Sequence, residues 1–404
     1  MPRRVAHLDD FTRLWLGQTL SALGSQAGGT AFSLLAILTV AASPAQLGLL
    51  GALRAIPALL LGLAAGVWVD RLTRRPLLMA ADFGRALLLG GLALLGASGA
   101  LRFEALCVIA FLVAGLAVLF DVAYPAYTPS LVAPDRLVAA NARLAMGESV
   151  AEIIGPGLGG WLTQAVGAAS AIGLDAVSFL LSALSLATIR RSEPPPAPSA
   201  TRAAWHVEAR AGLAVTWQHP VLRGLLLADA LLALASGWIG TLFVLFVTQT
   251  LGLAPALMGA LVGVGGLSAL PGAFLAERVT RRLGLVRAMV VARLIGAASS
   301  VLTVFAGGPP AVATGMLALA QTTDASWAVF GAAQQALRQT VTPNALLGRV
   351  SATTRLVTGV LLPLGALMGG SVAEALGVRV ALGLGFLVNA AAIGPLLVLR
   401  HPDP

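Results

Sequence analysis

The sequence predicts an all-α integral membrane protein made of two related bundles of six spans each. Three observations predict it. Only 11% of the 404 residues are charged and 58% are hydrophobic, giving a mean hydropathy of +0.89; a soluble domain carries roughly 25% charged residues. The apolar residues come in runs of about 20, the length that crosses a hydrocarbon core of about 30 Å. The second half of the chain also repeats features of the first.

In chain order, spans are predicted at 14–40, 46–69, 76–98, 103–127, 141–164 and 168–189. After a linker they resume at 221–248, 255–276, 286–306, 311–337, 350–373 and 380–399. Backbone in contact with lipid must satisfy its own hydrogen bonds, so each run is a helix. The 46 Gly and 22 Pro do not oppose this, because small residues allow close helix contact in membranes and kinks are tolerated there. The basic, then apolar N-terminus has the outline of a signal peptide. Its apolar stretch, however, runs on to Val40, well past a hydrophobic region of 7–15 residues, so it reads as a retained first span.

One long hydrophilic stretch, 190–220, opens with Arg190-Arg191-Ser192-Glu193-Pro194-Pro195-Pro196. The Pro run is extended and semi-rigid. Residues 203–219 are predicted to form a short amphipathic helix on the membrane surface. The linker leaves an N-terminal bundle of 1–189 and a C-terminal bundle of 221–404. Asp70-Arg71-Leu72-Thr73-Arg74-Arg75 recurs as Glu277-Arg278-Val279-Thr280-Arg281-Arg282. Gly159-Gly160 recurs as Gly369-Gly370, Gly167 as Gly377, and Arg85 as Arg293. Near-constant spacing between these matches marks a duplicated six-helix unit, the design of alternating-access transporters.

Every basic residue is Arg, and the formal charge is +9. Only Arg102 and Arg379 fall in loops on one side, and Arg54, Arg85 and Arg293 fall within spans. The rest of the 26 lie on the other side, which places both termini and the linker in the cytoplasm. Topology thus accounts for the charge, and no nucleic-acid partner is expected. Without Lys the chain cannot be a P-loop ATPase and cannot form a Lys Schiff base. Cys107 is the one cysteine, so no intramolecular disulfide forms. His7, His206, His219 and His401 lie outside the spans. No Cys/His cluster has metal-ligand spacing, and no metal or cofactor is expected. With no His at depth, an intramembrane enzyme is disfavoured.

Two motifs narrow the reading. Gly66-x-x-x-Asp70-Arg71-x-x-Arg74-Arg75 joins spans 2 and 3, and Gly155-Pro156-x-x-Gly159-Gly160 lies in span 5. With the 6+6 topology and the central linker, they make the chain resemble the major facilitator superfamily over its whole length. The resemblance implies the major facilitator fold. It also implies a cytoplasmic gate at Gly66, Asp70, Arg71, Arg74 and Arg75, with its degenerate copy at Glu277, Arg278, Arg281 and Arg282. In the family the loop acid faces the positive end of a helix in the other half. Gly155, Pro156, Gly159 and Gly160 resemble the antiporter motif of drug exporters, although the Gly four residues before the Gly-Pro is Ala151 here. Tyr127-Thr128-Pro129-Ser130-Leu131-Val132, followed by Asn141-Ala142, resembles the enterobactin-exporter-like and macrolide-efflux-like branch.

Ionisable groups at bilayer depth are costly and are functional hypotheses by default. Glu148 and Glu152 lie one turn apart in span 5. Asp229 is in span 7, Asp324 near the middle of span 10, and Asp175 in the outer part of span 6. Glu152 and Asp324 lead as proton-coupling residues, with Glu148 and Asp229 behind them. Asp82 precedes Arg85 by one turn and reads as a structural ion pair; Asp121 reads as part of the gate. In the family, spans 1, 4, 7 and 10 line the central path, so Gln18, Ser25, Gln26, Tyr124, Trp238, Gln321 and Trp327 are substrate-cavity candidates. The reading is a monomeric secondary active exporter of small amphipathic molecules, of drug, macrolide or siderophore type, in a bacterial inner membrane. It would exchange its substrate for protons by alternating access. An importer or lipid transporter of the same fold is the alternative within transport, and a non-transporting scaffold or sensor the alternative outside it.

Overall fold

The computed structural model describes residues 9–191, 193 and 205–399, and the side chains of all of these except Leu63, Val67, Asp70, Ala345 and residues 205–211. The described residues form helices and no strand. In order these are α1 (Asp10–Leu38), α2 (Pro44–Arg71), α3 (Arg74–Ala97), α4 (Phe103–Tyr127), α5 (Leu137–Val166), α6 (Ala168–Ala187), α7 (Trp205–Gln218) and α8 (Pro220–Leu245). Then come α9 (Pro255–Leu283), α10 (Leu285–Phe305), α11 (Pro310–Gln321), α12 (Asp324–Val341), α13 (Leu347–Leu376), α14 (Val378–Ala391) and α15 (Ile393–Leu397). Asp9 caps α1 by accepting the Thr12 N–H at 2.8 Å, and that bond holds its carboxyl below the ordinary range.

Ten helical runs are long and apolar enough to cross a membrane. The 30-residue α5 is not among them and carries Arg143, Glu148 and Glu152. The run predicted as one span at 311–337 is broken into α11 and α12. The break has a local cause. Thr322 and Thr323 hydroxyls donate to the carbonyls of Leu319 and Ala320 at 2.7 Å each, and such bonds compete with the helix backbone. The Thr323 hydroxyl also lies 2.8 Å from Ser299 Oγ. Asp324 is therefore the first residue of α12, at the break, with its carboxylate beside Gly265 of α9.

The chain forms two compact units. The first comprises Met1–Ala41 with Pro57–Ala200, and the second Ala42–Ile56 with Thr201–Pro404. In the first, α1 packs on α5 and α6, and α3 on α4 and α6. In the second, α8 packs on α13 and α14, and α10 on α12 and α14. Each contact of the first unit thus has its counterpart in the second, which is the duplication read from the sequence. The start of α2 belongs to the second unit: the Ala45 N–H donates to Glu374 at 3.2 Å, and a Cβ on Gly48 would lie 3.1 Å from Gly370 Cα. The helix passes to the first unit at Pro57, where a backbone hydrogen bond is missing.

Glycine pairs form the tightest seams. A Cβ on Gly159 would sit 2.8 Å from Ala27 Cα, and one on Gly155 3.3 Å from the Ala27 N. In the second unit, Gly365 meets Leu234 Cα at 3.1 Å and Gly369 meets Trp238 Cα at 2.9 Å on the same basis. The short helix α7 docks on α13: a Cβ on its Gly212 would lie 2.7 Å from the Arg349 carbonyl oxygen. Leu213 and Trp217 of α7 remain exposed.

Candidate functional site

The first unit holds an open cavity of about 250 Å³ lined by α1, α3, α4 and α5. Helix α1 supplies Gln18, Thr19, Ser21, Ser25 and Gln26; α4 supplies Phe120, Asp121 and Tyr124; α5 supplies Leu144, Glu148 and Glu152. Glu148 and Glu152 share a wall because residues four apart lie on one helix face. The Gly155 and Gly159 seam brings that face of α5 against α1. Four of the seven predicted cavity residues thus meet here, together with two of the four proton-coupling candidates. Asp121, expected at the gate, lines this cavity instead.

Arg85 of α3 completes the wall, and its charge is already compensated. It donates to Asp82 at 2.5 Å. Ser182 Oγ of α6 donates to the other Asp82 oxygen at 2.6 Å, and Gln18 Nε2 donates to Ser182 Oγ at 2.9 Å. The guanidinium carbon lies 4.6 Å from the Phe120 ring centre and 4.2 Å from that of Phe179, a cation–π arrangement that offsets part of the cost of burial. Asp82 is fully buried. The predicted structural pair is present, inside a wider network. By contrast, Asp121, Glu148 and Glu152 form no ion pair or hydrogen bond with the described residues.

The other candidates are placed differently. Asp229 is held by Arg338 at 2.5 Å and Gln334 at 2.7 Å, which makes it a structural anchor between α8 and α12. Asp175 packs against Gly24 and Gly28 of α1 and accepts from Ser178 at 3.3 Å. Trp238 is buried, donates to the Ala381 carbonyl at 2.9 Å and fills the space beside Gly369 and Gly385; it is packing, not cavity wall. Gln321 donates to the Leu261 carbonyl at 3.3 Å. Trp327 packs on Phe330, with ring centres 5.7 Å apart.

The gate motif is also more local than the sequence implied. Two backbone N–H groups of α3, those of Arg74 and Arg75, donate to Glu193 at 2.7 and 3.3 Å, and Arg74 Nη1 donates to it at 3.0 Å. A carboxylate from the linker therefore caps the positive end of α3. Arg75 donates to the Leu186 and Ala187 carbonyls at 2.9 and 2.7 Å. Glu193 carried no motif signal and was not singled out from the sequence. Gly66 was expected to permit a close helix approach, yet a Cβ there would meet nothing within 4 Å among the described residues. The Asp70 side chain lies outside the described residues. In the second copy, Glu277 and Arg281 form an exposed pair at 3.6 Å, and Arg278 and Arg282 are exposed.

The family model for the Major Facilitator Superfamily matches residues 14–366. The chain belongs to the Major Facilitator Superfamily. It is a multi-pass membrane protein of that family. An MFS-type transporter of Sinorhizobium fredii, y4rN, is 29% identical over 273 residues. That match spans 64% of each chain, slightly less than two thirds of the relative's length. Among solved structures, the nucleoside transporter NupG superposes with a TM-score of 0.75 at 13% identity, over 97% of this chain and 100% of that one. A bacterial homolog of the human lysosomal transporter Spinster, inward-facing and unoccupied, gives 0.70 at 18% identity, over 97% and 96%. A bacterial homologue of the iron transporter ferroportin, inward-facing, gives 0.69 at 23% identity, over 96% and 98%. At these identities the likeness shows the fold alone.

Proposed function

We propose that this transporter is a proton-coupled exporter of small amphipathic organic cations, seated in a bacterial inner membrane with both termini in the cytoplasm. One observation carries the reading: three carboxylates, Asp121, Glu148 and Glu152, face a cavity of about 250 Å³ without an ion-pair partner among the described residues. Arg85, the cation on the same wall, is neutralised by Asp82.

The chemistry follows from that imbalance. Each carboxylate can hold either a proton or a substrate cation. Two ligands competing for the same group is the requirement for exchange. Tyr124 adds an aromatic face, and Gln18, Ser25 and Gln26 add hydrogen-bonding groups, the usual composition of a site for a compact organic molecule. Glu148 and Glu152 take precedence over Asp229, which Arg338 engages, and over Asp324, which does not line this cavity. The drug-exporter resemblance of the Gly155-Pro156 segment gives the direction. Its observed role is the seam against α1 that holds Glu152 at the cavity.

The test is uptake of a fluorescent organic cation, ethidium, into inverted membrane vesicles energised by a proton gradient. Accumulation that collapses on adding a protonophore fits the proposal. Accumulation only in right-side-out vesicles would make the protein an importer.

A further inference from the structure

We propose that the second unit holds an anion-binding subsite on Arg293, shaped by Gly296 and Ser326, which takes a single carboxylate or phosphate group. The inference rests on a broken symmetry between the repeats and is independent of the transport direction proposed above.

Arg293 is the repeat counterpart of Arg85. Both lie in the third helix of their half, and both stack on aromatic rings. The Arg293 guanidinium carbon is 4.8 Å from the Trp327 ring and 5.6 Å from Phe330. The correspondence extends to a neighbour: at the spacing of Gly167 and Gly377, Asn389 stands where the first repeat has Phe179, which stacks on Arg85. It fails at the acid. The position equivalent to Asp82 is Val290. Arg293 donates through Nη2 to Asn389 Oδ1, so its side-chain partner is a neutral amide and not a carboxylate.

Arg293 is 3% exposed. Its Nε has no hydrogen-bond partner, its Nη1 donates to no described residue, and no described carboxylate pairs with it. Burying a guanidinium without a counter-charge is costly, and aromatic stacking offsets only part of that cost.

The geometry beside Gly296 supplies a seat for the counter-charge. A Cβ built on Gly296 would have Arg293 Nη1 at 3.9 Å and Ser326 Oγ at 4.0 Å as its nearest neighbours from beyond the adjoining helix backbone, so these two donors line the space beside this glycine. Gly296 and Ser326 are only partly buried. An oxygen placed between these two donors can take both bonds, one of them charge-assisted. A glycine here keeps the guanidinium reachable. An alanine would make only ordinary contacts and so is sterically admissible, yet its methyl group would project into the space between the two donors.

The experiment reads intrinsic tryptophan fluorescence, which includes Trp327, in purified full-length protein at constant ionic strength. Sodium acetate and inorganic phosphate are titrated in neutral detergent. In parallel, nanodiscs of phosphatidylcholine are compared with nanodiscs containing phosphatidylglycerol. We expect a saturable change in the wild type that Gly296→Ala weakens about tenfold or more, the loss of one charge-assisted bond. The Gly296→Ala protein should keep its melting temperature. A response to the soluble salts identifies a free anion or the anionic group of a solute. A response confined to phosphatidylglycerol identifies a lipid headgroup, and either supports the subsite. An unchanged response in Gly296→Ala, or no response to any probe, overturns it. Arg293→Gln should abolish the response outright, and Gly296→Ala carries the test alone if Arg293→Gln does not fold.

Discussion

Asp82 and Arg85, one turn apart on α3, meet at 2.5 Å with the carboxylate fully buried, and the guanidinium forms part of a cavity wall that three other carboxylates face. The pair fixes the electrostatics of the first unit. It balances the one basic group on the wall, whose charge also reaches Asp121, so the three further carboxylates leave the cavity net negative.

Removing one partner of a buried ion pair strands the other. Asp82→Ala should therefore lower stability by about 3–5 kcal/mol, read as a fall in melting temperature in detergent. It should also open Arg85 to pair with a cavity carboxylate, so ethidium binding should weaken even in correctly folded protein. An Asp82→Ala protein with wild-type melting and wild-type ethidium affinity would show that the pair is dispensable.

The glycine seams make a sharper steric prediction. Gly159→Val places atoms against the Ala27 backbone, and Gly369→Val against Trp238. Overpacking of this kind costs about 1–3 kcal/mol. Gly315→Val in α11, where a Cβ meets nothing within 4 Å, should leave the melting temperature unchanged. Equal melting of all three variants would contradict the assignment of Gly155 and Gly159 as packing elements.

Glu193 caps α3 from the linker. Glu193→Ala should cost about 1 kcal/mol, the usual value of a lost cap. Hydrogen exchange should locate the effect, with faster exchange of the Arg74 and Arg75 amides and no change at the far end of α3. Uniform acceleration along the helix would instead mean that Glu193 supports the whole unit.

Much of this was legible in the sequence, and the reasons differ by feature. Span positions followed from apolar run length, and the duplication from the matched Gly and Arg positions, because lipid imposes both constraints on composition directly. The break at Thr322–Thr323 was not legible: Ser and Thr hydroxyls interrupt a helix only when their backbone bonds outcompete it, and composition does not record that. Glu148 and Glu152 were legible as a pair through their four-residue spacing. Asp121 was misplaced because position along α4 does not reveal which face meets α1. Trp238 misled for a similar reason: a large aromatic on a path-lining span can equally fill the space left by Gly369 and Gly385. Glu193 and Asn389 act through partners more than 90 residues away, and a single sequence gives no signal for such pairs.

Orientation is open to a direct check. The Arg distribution predicts that reporter fusions at Pro196 and Pro404 give cytoplasmic signals. A periplasmic signal from either fusion would reverse the assignment of the two faces.

The central claim is that Glu148 and Glu152 exchange a proton for the substrate cation. Purified wild type and the Glu148→Gln/Glu152→Gln double variant should be reconstituted in proteoliposomes. Ethidium flux driven by a pH jump is then measured beside ethidium binding at two pH values. In the wild type, cation binding should weaken as the pH falls, because protons occupy the same carboxylates, and flux should follow the gradient. The double variant resembles the protonated state, so its gradient-driven flux should drop by about tenfold or more, the scale of losing one charge-assisted interaction, and any residual binding should be independent of pH. Gradient-driven flux and pH-dependent binding that both persist in the double variant would contradict the account and move the coupling away from this cavity.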